Sequence, residues 1–146
     1  MAEIQGCDIP ENLLYDIENN VWVRTENGIA TVGMTDPAQT LSGRILFVRP
    51  KRVGAVIEQG KSLASLESGK WAGPLVCPVS GTIVETNATL LQEPALLNID
   101  PYGAAWIAKL SYDPQQDLHH LVTGDEALRL YREKIVRDKI QCMRCS

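Results

Sequence analysis

The stretch Glu67-Ser68-Gly69-Lys70-Trp71 sets one amine where chemistry could be done on it. Upstream, residues 62–66 place apolar Leu63 and Leu66 among small residues, the pattern of a short strand. Downstream, Leu75 and Val76 lead to Pro78-Val79-Ser80-Gly81 and a second β-rich run over residues 82–86. Ser68-Gly69 is turn chemistry, because glycine takes a positive φ without a Cβ penalty and serine can cap a bend. Lys70 is therefore expected at or beside a hairpin tip, its amine held in water on a flexible stem. A modifying enzyme needs that presentation to couple a cofactor to one chosen lysine. A lysine in a turn is a weak signal by itself, since most surface lysines only keep a protein soluble.

A second constellation is Cys142-Met143-Arg144-Cys145. Cys-x-x-Cys can be a redox pair or half of a metal site, and Arg144 would lower a neighbouring thiol pKa. Against both, a redox pair needs a folded scaffold, and a terminal tail is usually mobile. No second Cys or His pair stands at zinc spacing, because His119 and His120 are adjacent and remote. Three readings of Cys142 and Cys145 stay open: no role, thiol or sulfur handling, and metal. Cys77, in the strand after the lysine turn, is expected to be a small core filler. Cys7 is either free or transiently paired. His119 and His120 are expected in a loop.

The scaffold must hold these groups with 146 residues, enough for one domain with a real core. Hydrophobic residues at 45% and charged residues at 22% describe an ordinary soluble globule. A net charge of −4 gives no basic field for nucleic acid or anionic lipid. The first ten residues have neither a basic start nor an apolar h-region, and no apolar run approaches a membrane span. The cysteines are accordingly expected as reduced thiols in the cytoplasm.

Asn27-Gly28 between Val21-Trp22-Val23-Arg24-Thr25 and Ile29-Ala30-Thr31-Val32-Gly33 is a strong hairpin signal. Thr35 is expected to cap a two-turn helix with Asp36 and Pro37 in its first turn and Gly43 past its end. Ile45-Leu46-Phe47-Val48 reads as a strand buried on both faces, followed by strands at 53–57 and 62–66. Ser42-Gly43-Arg44-Ile45-Leu46 is echoed by Ser80-Gly81-Thr82-Ile83-Val84, and each copy continues into an apolar patch, a turn and another apolar run, 63–66 and 95–99. The echo predicts two similar small sheets face to face, with the lysine turn on the hairpin joining them. A strand over 104–110 follows, with Trp106 central. Thr123 and Glu126 have capping-box spacing for a helix over 124–140, with Leu128, Tyr131 and Ile135 as its apolar stripe. Arg129–Glu133 and Glu133–Arg137 are expected as solvated pairs on it. One domain spans 1–146, with its core over about 9–122 and a tail at 141–146.

These residues together resemble the glycine cleavage H protein and its lipoyl-carrier relatives over residues 9–128, without long gaps. The family's Thr-Asp-x-Ala-Gln before a Gly-x-Ile-x-Phe-Val strand is met by Thr35, Asp36, Ala38, Gln39, Gly43, Ile45, Phe47 and Val48. Its Glu-Ser-x-Lys is met by Glu67, Ser68 and Lys70, and the Pro-Val-Ser-Gly that follows by Pro78, Val79, Ser80 and Gly81. Glu85 and Asn87 match, as do Asn98, Asp100, Pro101, Tyr102, Gly103 and the later Trp106. The resemblance implies a mainly β, flattened barrel of the lipoyl/biotinyl-carrier type, two small sheets in quasi-two-fold symmetry plus a C-terminal helix. It implies lipoate as cofactor, joined by an amide to Lys70, with Glu67 helping the lipoylating enzyme choose it and Ser68 and Gly69 shaping the turn. Gly69 and Trp71 differ from the methionines that usually flank a biotinyl lysine.

Departures from the pattern bear on the cargo. In glycine cleavage an acid before the Trp of the first hairpin and another four residues after the lysine hold the aminomethyl ammonium. Here Asn20-Val21-Trp22 stands at the first place, with Val21 directly before the Trp, and Pro74 at the second. The usual Leu-Pro has become Arg49-Pro50-Lys51, a basic corner. In this the chain is similar to the lipoate-binding proteins of the sulfur-oxidising, heterodisulfide-reductase-like pathway. That similarity implies a carrier of sulfur intermediates, not an enzyme. Its implied partners are a lipoate ligase or lipoyl-assembly enzymes, a heterodisulfide-reductase-like complex and a dihydrolipoamide dehydrogenase-type protein. An aminomethyl shuttle and a thiol redox protein using Cys142 and Cys145 are the alternatives. No metal, nucleic acid or membrane insertion is expected.

Overall fold

The structure, a computed structural model, describes residues 2–143. Its elements in order are β1 (Ala2–Ile4), β2 (Cys7–Ile9), β3 (Leu14–Asp16), β4 (Val21–Glu26), β5 (Ile29–Met34), α1 (Asp36–Ser42), β6 (Ile45–Pro50), β7 (Val56–Ile57), β8 (Ser62–Ser68), β9 (Ala72–Val76), β10 (Gly81–Thr86), α2 (Thr89–Gln92), α3 (Leu96–Ile99), β11 (Ala108–Tyr112) and α4 (Gly124–Arg137). The Asn27-Gly28 turn joins β4 to β5 in register Glu26↔Ile29, with both turn residues at positive φ as that turn requires.

The sheets are unequal. One has six strands in the order β3-β4-β5-β11-β10-β7, the other three in the order β6-β8-β9, and β1-β2 form a separate hairpin. The two Ser-Gly echoes do start strands of different sheets, β6 and β10. The lysine hairpin, however, is β8–β9 and lies wholly within the smaller sheet, not between the two. Val32, Met34, Val48, Leu63, Leu66, Leu75, Ile83, Leu97 and Leu110 fill the space between the sheets.

A second cluster of Ile4, Ile9, Tyr15, Trp22, Tyr131 and Ile135 packs α4 and the β1–β2 hairpin against β3 and β4. Burying each such side chain contributes about 1.5–3 kcal/mol, which outweighs the weak intrinsic propensity of a fourteen-residue helix. No helix of the described residues is long and apolar enough to cross a membrane.

Several expectations need correction. Leu46 and Phe47 are exposed, because β6 shifts register between Ile45 and Phe47 and turns them outward. Residues 95–99 hold a helical turn, not a strand. Pro94 presets its start, and Leu97 and Asn98 donate back to the Pro94 and Ala95 carbonyls. Residues 104–107 are irregular, since the Asn87 amide takes up the Ala104 and Trp106 carbonyls that a ladder would use. Of residues 53–57 only Val56–Ile57 form a strand, although Gly54 and Ala55 exchange backbone hydrogen bonds with Ile83. Thr123 does not close a capping box; its hydroxyl donates to the Leu13 carbonyl at 2.7 Å. α4 stops at Arg137, where Lys139 turns left-handed and the Ile140 N–H reaches back to the Ile135 carbonyl. Arg129 pairs with Glu133 as expected, but Arg137 pairs with Asp138.

Candidate functional site

Between β8 and β9 the chain reverses over four residues, closed by the Ser68 N–H on the Trp71 carbonyl at 2.7 Å, so Gly69 and Lys70 are the central pair. Ser68 is buried, and its hydroxyl donates to the Ser42 carbonyl at 2.6 Å while standing 3.4 Å from the Lys70 N–H. The turn is thus tied to the end of α1. Gly69 plays a smaller part than its type suggests: its φ is not in the left-handed region and nothing lies within 4 Å of where a Cβ would go.

Lys70 is exposed and its stem lies along Gly43. A Cβ at position 43 would sit 3.0 Å from the lysine Cε and 3.8 Å from Nζ. Gly43 also has φ 78° and ψ −167°, a region essentially reserved to glycine that costs other residues about 1–3 kcal/mol. Gly43→Ala is therefore expected to lower stability by about 1–3 kcal/mol in a denaturant titration and to push the lysine stem off its seat, slowing acylation of the amine in a timed mass assay.

α1 explains why the Thr-Asp-x-Ala-Gln residues come together. Thr35 Oγ1 accepts the Ala38 N–H at 3.3 Å, Asp36 accepts the Asp8 N–H at 2.8 Å, and the Gln39 amide donates to Asp36 at 2.7 Å. Beneath its end sits Asn98, fully buried. Its Oδ1 accepts the Ile45 N–H at 2.8 Å, and its Nδ2 donates to Gln39 Oε1 and the Gly43 carbonyl at 3.0 and 2.8 Å. Sequence reasoning matched Asn98 to a pattern without finding this role. The signal was an amide in the otherwise apolar run 95–99, which needs buried partners.

Beside the turn is a cleft of about 190 Å³ whose lining includes Asn20, Leu41, Ser42, Leu66, Trp71 and Pro74, and none of whose lining side chains ionises. Asn20 and Pro74, far apart in sequence, thus line one space. The Asn20 amide oxygen already accepts from Tyr131 Oη at 3.1 Å and Lys134 Nζ at 3.2 Å. Lys134 also donates to the Ile17 carbonyl at 2.6 Å, and burial holds its pKa below the usual lysine range. Glu67 is exposed on the opposite, outward face of the small sheet, in a groove of about 790 Å³ with Phe47, Arg49, Ser65 and Pro74.

The cysteines depart from expectation. Cys7 and Cys142 form a disulfide across 135 residues, so neither is a reduced thiol and Cys142 is not half of a pair with Cys145. Spacing could not reveal this, because β1–β2 brings the amino end to the carboxyl end. Nor is the tail loose as far as Met143: Cys142 N–H donates to the Gln5 carbonyl, Met143 N–H to Thr40 Oγ1, and the Gln39 amide to the Met143 carbonyl at 2.6 Å. Arg144 and Cys145 lie outside the described residues. Cys77 is the expected filler; burial pushes its thiol up to about 11, and Sγ contacts the Val79 carbonyl. His119 and His120 are loop residues, beside Asp117 and the Pro78 carbonyl.

Residues 13–134 match the family model of the glycine cleavage H-protein. The chain is 47% identical over 142 residues to a probable glycine cleavage system H protein 2 of Sulfolobus acidocaldarius, covering 95% of each. It is 48% identical over 148 residues to glycine cleavage system H protein 3 of Aquifex aeolicus, covering 98% of this chain and 92% of that one. The crystal structure of a glycine cleavage system H protein from Mycobacterium marinum superposes with a TM-score of 0.74 at 30% identity, over 84% of this chain and 98% of that one.

Proposed function

Since the chain belongs to the glycine cleavage H-protein family, whose members are carriers with lipoate on a lysine, we propose that Lys70 bears the lipoyl arm and that its cargo has no ammonium group. An arm fits what the chain offers: an exposed amine, a stem seated on glycine and an uncharged cleft beside it. When bound, the lipoyl group supplies a disulfide that opens to two thiols and exchanges with other thiols at low barriers. The protein performs no reaction. Ser68 and Gly43 orient the lysine, Leu41, Leu66 and Trp71 give the arm an apolar resting wall, and partners act on what it brings.

The cleft carries the reading of the cargo. An aminomethyl ammonium taken out of water needs an anionic acceptor, and each charged hydrogen bond left unmade costs about 1–3 kcal/mol. The cleft lining provides none, and Val21, which stands directly before Trp22, is fully buried in the apolar core. Sulfur at the oxidation level of a thiol needs no such partner. We place the protein accordingly as a cytoplasmic sulfur carrier to a heterodisulfide-reductase-like complex, lipoylated by a ligase or assembly enzymes and reoxidised by a dihydrolipoamide dehydrogenase-type partner.

The names of its relatives favour the second reading, the aminomethyl shuttle, and on names alone that reading is the better supported. One comparison separates them. Lipoylated protein is offered to glycine decarboxylase with glycine, beside an H protein that has both carboxylates. Loading at least tenfold slower is expected here, as one to two lost charged hydrogen bonds imply. Equal loading would hand the function to glycine cleavage.

A further inference from the structure

We infer that the outward face of the three-stranded sheet docks the enzyme that acylates Lys70, and that this enzyme meets it with an acidic rim and a pocket for an aromatic ring. The inference rests on the lipoyl reading of Lys70 and adds the partner's chemistry.

Reach comes first. A partner that acts on the far end of a long arm can stand away from the body. An enzyme that forms the amide cannot, because Nζ lies 3.8 Å from the Cβ position of Gly43, close against the protein. Its active site must close over residues 68–71, and its body must rest on a surface bordering that turn.

The outward face is built for such a rest. Cross-strand pairing puts Phe47, Glu67 and Ala72 in the row next to the turn and Arg49, Ser65 and Pro74 in the next. Lys51 continues the ladder, its N–H on the Leu63 carbonyl at 2.9 Å. Phe47 is 53% exposed, a large ring with no core behind it. A half-exposed aromatic ringed by polar side chains is the usual anchor of a protein interface.

Charge then selects the partner. Residues 37–57 contain four basic side chains and no acidic one, although the chain carries −4 overall. Neither the Arg49 guanidinium nor the Lys51 ammonium has an ionic partner among the described residues. A second copy of this chain is a poor occupant, because the face offers Glu67 as the one acid lining the groove against both Arg49 and Lys51, so a two-fold contact leaves basic charge unpaired. An enzyme with carboxylates at that radius gains attraction and correct register together.

The test is ATP-dependent acylation of the apo-protein by the lipoate–protein ligase of the same organism, followed by intact mass at low salt. The double variant Arg49→Glu/Lys51→Glu is expected to raise KM about tenfold with kcat nearly unchanged. Phe47→Ala is expected to raise KM too, and added salt to bring the unaltered protein toward the double variant. Arg132→Glu, on the exposed side of α4, should leave KM unmoved. Acylation with unchanged KM in the double variant would overturn the docking surface and leave the lipoyl reading intact. So would a dimer of the unaltered chain that the two reversals dissociate. No acylation of the unaltered chain at all would overturn both.

Discussion

Reducing the Cys7–Cys142 bridge is expected to lower the stability of this fold by as much as about 5 kcal/mol, the loop-closure value for a link across 135 residues. A whole domain is stable by only about 5–15 kcal/mol, so the change is a large share of the total. Part of it is offset locally, because Ile4, Ile140 and the Cys142 N–H on Gln5 still hold the two ends together after reduction. The effect reaches the site by a traceable route. Met143 is held by Thr40 and Gln39, Gln39 is held by Asn98, and Asn98 braces the Gly43 carbonyl under the lysine stem. Denaturant midpoints with and without a dithiol reductant measure it, and Cys142→Ser should match the reduced protein and no longer respond to reductant. A loss below about 1 kcal/mol would mean that packing alone closes the chain.

What the sequence displayed was local chemistry. Asn27-Gly28 declared its hairpin, Thr35 its cap and Cys77 its burial, because each depends on neighbours within a few residues. Glu67, Ser68 and Lys70 were legible as a presented amine, and the structure adds that Ser68, not Gly69, makes the bend by bonding to Ser42. Long-range facts were hidden. Nothing in the spacing of Cys7 and Cys142 says that both ends meet under α4, and an amide such as Asn98 reveals its partners only when α1 and β6 converge on it. β6 misled because an apolar run looks the same whether both faces are buried or a bulge turns two side chains out. The stretch Asn20-Val21-Trp22 and Pro74 were readable one at a time as places without the acid; only the fold makes Asn20 and Pro74 walls of one cleft.

The choice of one lysine is the other large effect, and it is all or none. Lys134 is held against the Ile17 carbonyl, and Lys109 lies over Trp106 with Glu85 beside it. Lys51, Lys61 and Lys139 have no hairpin of the Glu67-Ser68 kind to place them. Lys70 has the turn, the glycine seat and the open approach together. Swapping its amine for a guanidinium keeps the charge and most of the stem, so the fold is expected to be unaffected.

Intact mass of the protein and of Lys70→Arg, both made in cells able to attach lipoate, therefore asks the question at its root. A single lipoyl increment on the first and none on the second is the expected result. An increment that survives the substitution, or one that never forms on the unaltered chain, would contradict the assignment of the arm to this turn.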